Sequence, residues 1–332
     1  LGYIETQNIT RVTEFYLMGF SEDPEGQPFL FVLVLSMYLV MVLRNLLITL
    51  VIISDAHLHM PMYFFLCNLS FADVGVTSTM VPKMIVDIHT HSTVISYVGC
   101  LTQMSLSIIC GCMDDLLLTM MAYDRFVAIC HPLHYQVIMI PCRCGFWVSV
   151  SLVFSLLDSL LHSLMVLKVT CFMDVEISNF FCDPSQLSFA CSDSFTSDIV
   201  KYLVGIIYGF FPISGILFSY YKIISSILRV PSPGGMYRAF STCGSHLSVK
   251  CLFYGSSIGV YFSSAFSVSP GKGALASVVY TVVTPMLNPF IYSLRNRGIK
   301  RALWRLLRKT GLSQSLCHAS GLLVGTAAKR SI

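Results

Sequence analysis

Seven long, almost uninterrupted apolar stretches, at roughly 28–53, 63–86, 98–122, 144–167, 198–228, 242–263 and 275–294, leave this 332-residue chain few ways to fold. A helix that crosses a bilayer needs about 20 mostly apolar residues, and each stretch is long enough. A membrane-spanning β-barrel would read instead as short alternating segments, which the chain lacks. The expected fold class is therefore an all-α membrane protein, a seven-transmembrane helix bundle over residues 28–294. No other segment is long enough for a soluble domain, and no internal repeat links the two halves.

Composition supports this. Hydrophobic residues make up 55% of the chain and charged residues 11%, against roughly 45–50% and about 25% in soluble domains. Mean hydropathy is +0.73. A disordered chain would need the opposite balance. A net charge of +4 is too small to point to nucleic acid, so the bilayer is expected as a partner and nucleic acid is not.

Basic residues set the orientation. Of 21 Lys and Arg, 14 lie on one side: Arg125, Arg143, Lys222, Arg229, Arg238 and nine from Arg295 to Arg330. Only Arg11, Lys168, Lys201 and Lys272 lie on the other. The positive-inside rule predicts an extracellular N-terminal segment, 1–27, and a cytoplasmic C-terminus. Asn8-Ile9-Thr10 is a glycosylation sequon on that outer side, although Asn68-Leu69-Ser70 fits the same pattern within a span. The first residues hold several acids and no basic-then-apolar run, so no cleavable signal peptide is expected. With no initiator Met, the chain is expected to be less than the full primary product. Residues 295–309 read as an amphipathic helix on the inner membrane surface. Leu303, Trp304, Leu306 and Leu307 would face lipid there, and Arg297, Lys300, Arg301, Arg305 and Arg308 the headgroups. Residues 310–332 are small and polar and read as a disordered tail.

Polar groups inside spans are costly and are functional candidates by default. Asp73 falls in span two, Asp114 and Asp115 in span three, and Asn45 and Asn288 in spans one and seven. Acidic and amide groups at one depth can share a cation such as Na⁺, hold a water network, or simply fix helix packing. Asp124-Arg125 closes span three, as an interfacial anchor or as a switch in which Arg125 exchanges Asp124 for another partner. In Asn288-Pro289-Phe290-Ile291-Tyr292 the proline removes a backbone hydrogen bond and lets the end of span seven swing. Cys110-Gly-Cys112, Cys142-Arg-Cys144 and His57-Leu-His59 are isolated pairs without a second pair at zinc spacing, and no catalytic motif is present. Neither a metal site nor an enzyme is expected. A transporter or channel would call for repeats and a charged through-path, and the sequence shows neither.

The runs PMYFFL (61–66), MAYDRFVAICHPLHY (121–135), SY (219–220), FSTCGSHLS (240–248) and PMLNPFIYSLRN (285–296) together resemble the olfactory receptors, within the rhodopsin-like class A G-protein-coupled receptors. The resemblance runs from the first cytoplasmic loop to the surface helix. It implies detection of small, volatile, largely apolar molecules, with coupling to a heterotrimeric G protein of the stimulatory olfactory type and a rise in cyclic AMP. It makes Asp124, Arg125, Tyr220, Asn288, Pro289 and Tyr292 the inner switch residues, with Asn45, Asp73, Asp114 and Asn288 as the polar or sodium network. The four outer cysteines allow three pairings; resemblance implies Cys100–Cys182 and Cys171–Cys191. The position that some of these receptors use for a metal-ligating His is Asn179 here.

Helical steps back from Arg125 put Ser107, Ile108, Gly111 and Cys112 on one inward face. Resemblance adds Val204, Tyr208, Ser257, Ile258 and Tyr261 from spans five and six, with Tyr254 beneath them. None of these is charged, which favours a neutral ligand. The chain departs from the family pattern at Arg44, Leu152 and Lys250, and two cations within spans predict poor trafficking or signalling.

Overall fold

The computed structural model describes residues 13–17, 26–168, 176–177, 180–182, 199, 203–204, 206–228, 244, 247, 251, 254–255, 283–287 and 297–309. Within these, α1 spans Gln27–Ser54, α2 Pro61–Thr90, α3 Tyr97–Cys130 and α4 Pro141–Lys168. A π-helical stretch, Ile206–Phe210, runs into α5, Phe211–Ile227, and α6 spans Arg297–Lys309. Five of the described helices, the last being Ile206–Ile227, are long and apolar enough to cross a membrane. They stand where the first five apolar stretches predict them. The sixth and seventh stretches lie almost wholly outside the described residues.

Local chemistry sets the helix ends. Pro28, Pro61 and Pro212 fall in first turns, where the missing N–H costs nothing. The Ser96 hydroxyl caps α3 by accepting from the Gly99 amide at 3.1 Å. After α2 the chain turns through His91 at φ 55°, a left-handed conformation that reverses it into the next strand.

Side chains that would be a liability in water line the outer surfaces. Phe29, Leu43, Leu50, Phe146, Leu157, Phe211 and Tyr221 are all exposed, as lipid contact requires. The buried core sits between helices. In its inner half, Ile48 and Ile52 of α1, Phe65 and Leu69 of α2, and Leu117 and Met121 of α3 pack together, and Ile299 and Ala302 of α6 close the cluster from below. Leu303 and Leu306 pack against it too. The apolar stripe of α6 thus meets the bundle, which corrects the lipid-facing assignment drawn from periodicity for those two residues. The stripe is real, but periodicity does not say which apolar surface it meets.

The outer end carries a small sheet that the sequence reading did not anticipate. Strand β1, Glu14–Leu17, lies between β2, Val94–Ser96, and β3, Glu176–Ile177. It pairs antiparallel with β2, Glu14 opposite Ser96, and parallel with β3, Leu17 opposite Ile177. The alternation along β1 buries Phe15 and Leu17 and leaves Glu14 and Tyr16 outside. Phe15 and Leu17 rest on Met104 and the Cys100–Cys182 disulfide, so the N-terminal segment helps to close the outer end of the bundle.

Helices α2 and α3 approach closely where Gly75 meets Cys110. A Cβ added at Gly75 would lie 2.5 Å from the Cys110 sulfur and 3.5 Å from its Cβ. Gly75→Ala should therefore cost about 1–3 kcal/mol of overpacking and lower surface expression and thermal stability. Cys110→Ala in the same chain should restore both, since only the sulfur is in the way. Equal losses in the single and double variants would mean that the glycine is needed for another reason.

Candidate functional site

Three layers of buried polar groups run down the bundle. In the outer layer the disulfide joins Cys100 at the start of α3 to Cys182, with Cα atoms 5.5 Å apart. Gln103, one turn on, accepts from the Cys182 amide at 3.0 Å and donates to the Thr79 carbonyl of α2 at 3.0 Å. The outer loop is thus tied to two helices, covalently and by hydrogen bonds. Cys171 and Cys191 lie outside the described residues, as do Asn8, Ser257, Ile258, Tyr261 and Lys250.

Below this, the expected α3 wall is partly open: Ser107, Ile108, Gly111 and Cys112 are all half-buried. Ile108 packs under the cluster that carries Phe15 and Leu17. Ser107 turns its hydroxyl back onto the Met104 carbonyl at 2.9 Å. Cys112 faces α4, where its thiol donates to Asp158 Oδ2 at 3.3 Å. Tyr208 also turns to α4, donating to the Phe154 carbonyl at 2.9 Å, and Val204 is half-buried.

Asp158 belongs to a polar seam that sequence reasoning missed. His162 Nδ1 sits 3.4 Å from Asp158 Oδ1, one helical turn along α4. Ser159 donates to the Ser105 carbonyl at 3.0 Å, and Ser105 and Ser163 share a hydrogen bond at 2.9 Å. The rule that flagged Asp73 and Asp114 applies equally to Asp158, so the signal was in the sequence. Its effect is to place a hydrogen-bonded acid directly behind a wall otherwise free of charged side chains.

In the middle layer Asn45, Asp73, Asp114 and Asp115 are all buried. Asn45 donates to the Met41 carbonyl at 3.2 Å, and Asp114 is flanked by Asp73 and Asp115. Among the described residues, Asn45 Oδ1 and Asp114 Oδ1 meet no hydrogen-bond donor. The Tyr254 hydroxyl donates to Asp115 Oδ1, tying the sixth apolar stretch to α3. Asn288 is outside the described residues.

The inner layer is a lock. Asp124, fully buried, receives Arg125 Nη2 at 2.6 Å and Nε at 3.1 Å. Its other oxygen accepts from the Tyr135 hydroxyl at 2.8 Å. Tyr135 opens a short helical turn, Tyr135–Ile138, in the second cytoplasmic loop. Burial and the neighbouring carboxylate push its phenol well above the ordinary value. Tyr220 is buried against Ala122 of α3, with Ile216 and Ile223 beside it. Pro289 and Tyr292 are not among the described residues. Of the residues marking departures, Arg44 is half-buried and partnered, and Leu152 is 43% exposed on the lipid side of α4.

A membrane bundle whose third helix ends in a buried Asp–Arg lock, under a disulfide-tied outer loop, defines a rhodopsin-type G-protein-coupled receptor. Within that class the chain belongs to the olfactory receptor family, whose seven-transmembrane pattern matches residues 34–310. It is similar to olfactory receptor 7E178 of Mus musculus, 70% identical over 308 residues that cover 92% of this chain and 93% of that protein. Olfactory receptor 7E24 of Homo sapiens is 66% identical over 306 residues, covering 92% of this chain and 90% of the relative. Olfactory receptor 7A10 of Homo sapiens is 57% identical over 306 residues, covering 92% and 99%. The protein is accordingly an odorant-sensing, G-protein-coupled, multi-pass receptor of the plasma membrane and not an enzyme.

The lock sets a testable energy. Tyr135→Phe removes a hydrogen bond to a buried carboxylate, worth about 1.5–3 kcal/mol. Loss of that contact should favour release of Arg125 roughly tenfold or more and raise agonist-independent nucleotide exchange on the G protein at matched surface level. Unchanged basal exchange would show that Tyr135 contributes nothing to the locked state.

Proposed function

We propose that this receptor binds small, volatile, largely apolar odorants in the outer half of the bundle and signals through a stimulatory olfactory-type G protein to raise cyclic AMP. The observation that carries the ligand class is the half-buried wall of Ser107, Ile108, Gly111 and Cys112 beneath the apolar roof of Phe15 and Leu17. Such a wall suits an apolar body. On this reading Val204 and Tyr208 of the fifth span, and Tyr254, Ser257, Ile258 and Tyr261 of the sixth, supply the rest of the pocket. Asp158, hydrogen-bonded by Cys112 and beside His162, adds one polar corner.

Activation is a shift between two arrangements. A ligand that prefers the open one moves the equilibrium by its difference in affinity, and about 5.5 kcal/mol carries it from 1:99 to 99:1. Arg125 held by Asp124 represents the closed arrangement. When the inner ends part, Arg125 is freed to meet the G protein, with Tyr220 and the Asn288-Pro289-Tyr292 segment as the moving partners. The N-terminus lies outside and the basic cytoplasmic side receives the G protein.

Screening the expressed receptor against a chemically diverse odorant panel with a cyclic AMP reporter should find neutral, largely apolar agonists. Tyr261→Ala and Ser257→Ala should then each shift the potency of the best agonist roughly tenfold, the scale of one lost polar or apolar contact. If both leave the response profile unchanged, the pocket is elsewhere.

The middle layer suits a small hard cation. The carboxylate oxygen of Asp114 and the amide oxygen of Asn45, both without a donor among the described residues, are the ligand type that Na⁺ takes. Asp73 and Asn288 would complete the set. Replacing Na⁺ with a bulky organic cation should raise basal cyclic AMP severalfold, and Asp114→Asn should abolish the difference. A sodium effect that survives Asp114→Asn would remove this site.

A further inference from the structure

We propose that the outer pocket selects ligands that donate a hydrogen bond, so that its agonists are alcohols and phenols in preference to ketones or aldehydes of the same skeleton. This selection rests on the pocket placement proposed above and names the ligand class within it. Each hydroxyl or thiol of the pocket among the described residues commits its hydrogen to a protein acceptor. Ser107 gives its hydrogen to the Met104 carbonyl at 2.9 Å, and Tyr208 gives its own to the Phe154 carbonyl at 2.9 Å. Cys112 donates to Asp158 Oδ2 at 3.3 Å, and Tyr254 to Asp115 Oδ1.

These groups come from different spans, yet they share one electrostatic neighbourhood. Asp115 of α3 acts through space on Cys112, Tyr208 and Tyr254. Asp158 of α4 acts on Cys112 and Tyr208. Both acids are buried, whereas Ser107, Cys112, Tyr208 and Tyr254 are half-buried. Ser107, Gly111 and Asp115 follow one another at successive turns on one face of α3. Gly111, between the other two, contributes no side chain to fill the space beside them.

The direction of these bonds sets the polarity of the wall. A hydroxyl oxygen whose hydrogen is in use keeps its lone pairs, and the Met104 and Phe154 carbonyls have no hydrogen to return. What the four groups still offer a ligand is therefore acceptor capacity. An alcohol adds its own hydrogen to one of these oxygens while the existing bonds persist, and a longer chain of hydrogen bonds strengthens its members. A ketone has to break one of the existing bonds to gain another. The difference is one net hydrogen bond, roughly three- to tenfold in affinity. Ile108, under the apolar roof of Phe15 and Leu17, serves both ligands alike.

Pairs of equal shape test this in cells expressing the full chain with a cyclic AMP reporter: borneol with camphor, menthol with menthone, and cyclooctanol with cyclooctanone. The alcohol of each pair should be the more potent by roughly three- to tenfold. Ser107→Ala with Tyr208→Phe should bring the two members together by weakening the alcohol. The readout is a ratio within one variant, so surface level does not move it. If the double variant does not reach the surface, either single change should shift the ratio less and in the same direction. Ile108→Ala removes apolar contact alone and should weaken both members equally. Ketones as potent as their alcohols, with Ile108→Ala still weakening both, overturn donor selection and leave the pocket in place. A ratio unmoved by the Ser107 and Tyr208 changes overturns the assignment to these oxygens. If Ile108→Ala alters neither member, the pocket placement fails and donor selection fails with it.

Discussion

Hydrocarbon offers no hydrogen bonds, and every other feature of this receptor follows from that. A backbone crossing the bilayer must satisfy itself within each helix, so the apolar stretches become helices whatever their finer propensities. β-Branched and aromatic residues that would weaken a helix in water, as in the Val-Leu-Val and Ile-Thr-Leu-Val runs of α1, do not stop it here. The same absence of competing water forces polar side chains inward, where they meet one another. The three polar layers are the result.

Those layers differ in what they can do. The outer one is covalent and doubly hydrogen-bonded, which makes it a fixed roof. The middle one has oxygens on Asn45 and Asp114 that meet no donor among the described residues, beside the Asp115–Tyr254 bond. The inner one satisfies Asp124 fully with Arg125 and Tyr135, both at the membrane boundary, where a partner can compete for the arginine. On the proposed reading, a fixed top and a bottom whose arginine a partner can compete for serve a ligand-driven switch. The surface helix adds a fourth level, because Arg305 on Asp55 ties its orientation to the first loop.

The seven apolar stretches, the basic asymmetry and the Asp124-Arg125 and Asn288-Pro289 motifs were all legible in the chain, because each is a property of sequence position. Hydropathy counts residues in a row, and the positive-inside rule counts charges between rows. The position of the disulfide partner was legible only through resemblance, since four cysteines leave three pairings open on chemistry alone. The Tyr135 contact, the β1 strand and the Asp158–His162 seam escaped, although their residues were in plain view. The first two depend on partners elsewhere in the chain, Asp124 and Val94–Ser96; the tie of the seam to α3 depends on Cys112, although the rule for acids within spans already marked Asp158.

By itself, then, the sequence determined that this chain crosses the membrane, where it crosses, and which short motifs stand at the crossings. Apolar length and charge bias act locally and need no partner to be expressed. The tertiary structure alone decided which face of each helix meets protein and which meets lipid. It turned Leu303 and Leu306 onto the bundle and left Trp304 exposed, aimed Cys112 at Asp158, and laid Phe15 over Met104. The physical reason is that an apolar side chain is equally at home against a neighbouring helix or a lipid tail, so hydropathy cannot choose between them. Close packing and the pairing of polar groups can, and both require the helices to be in place.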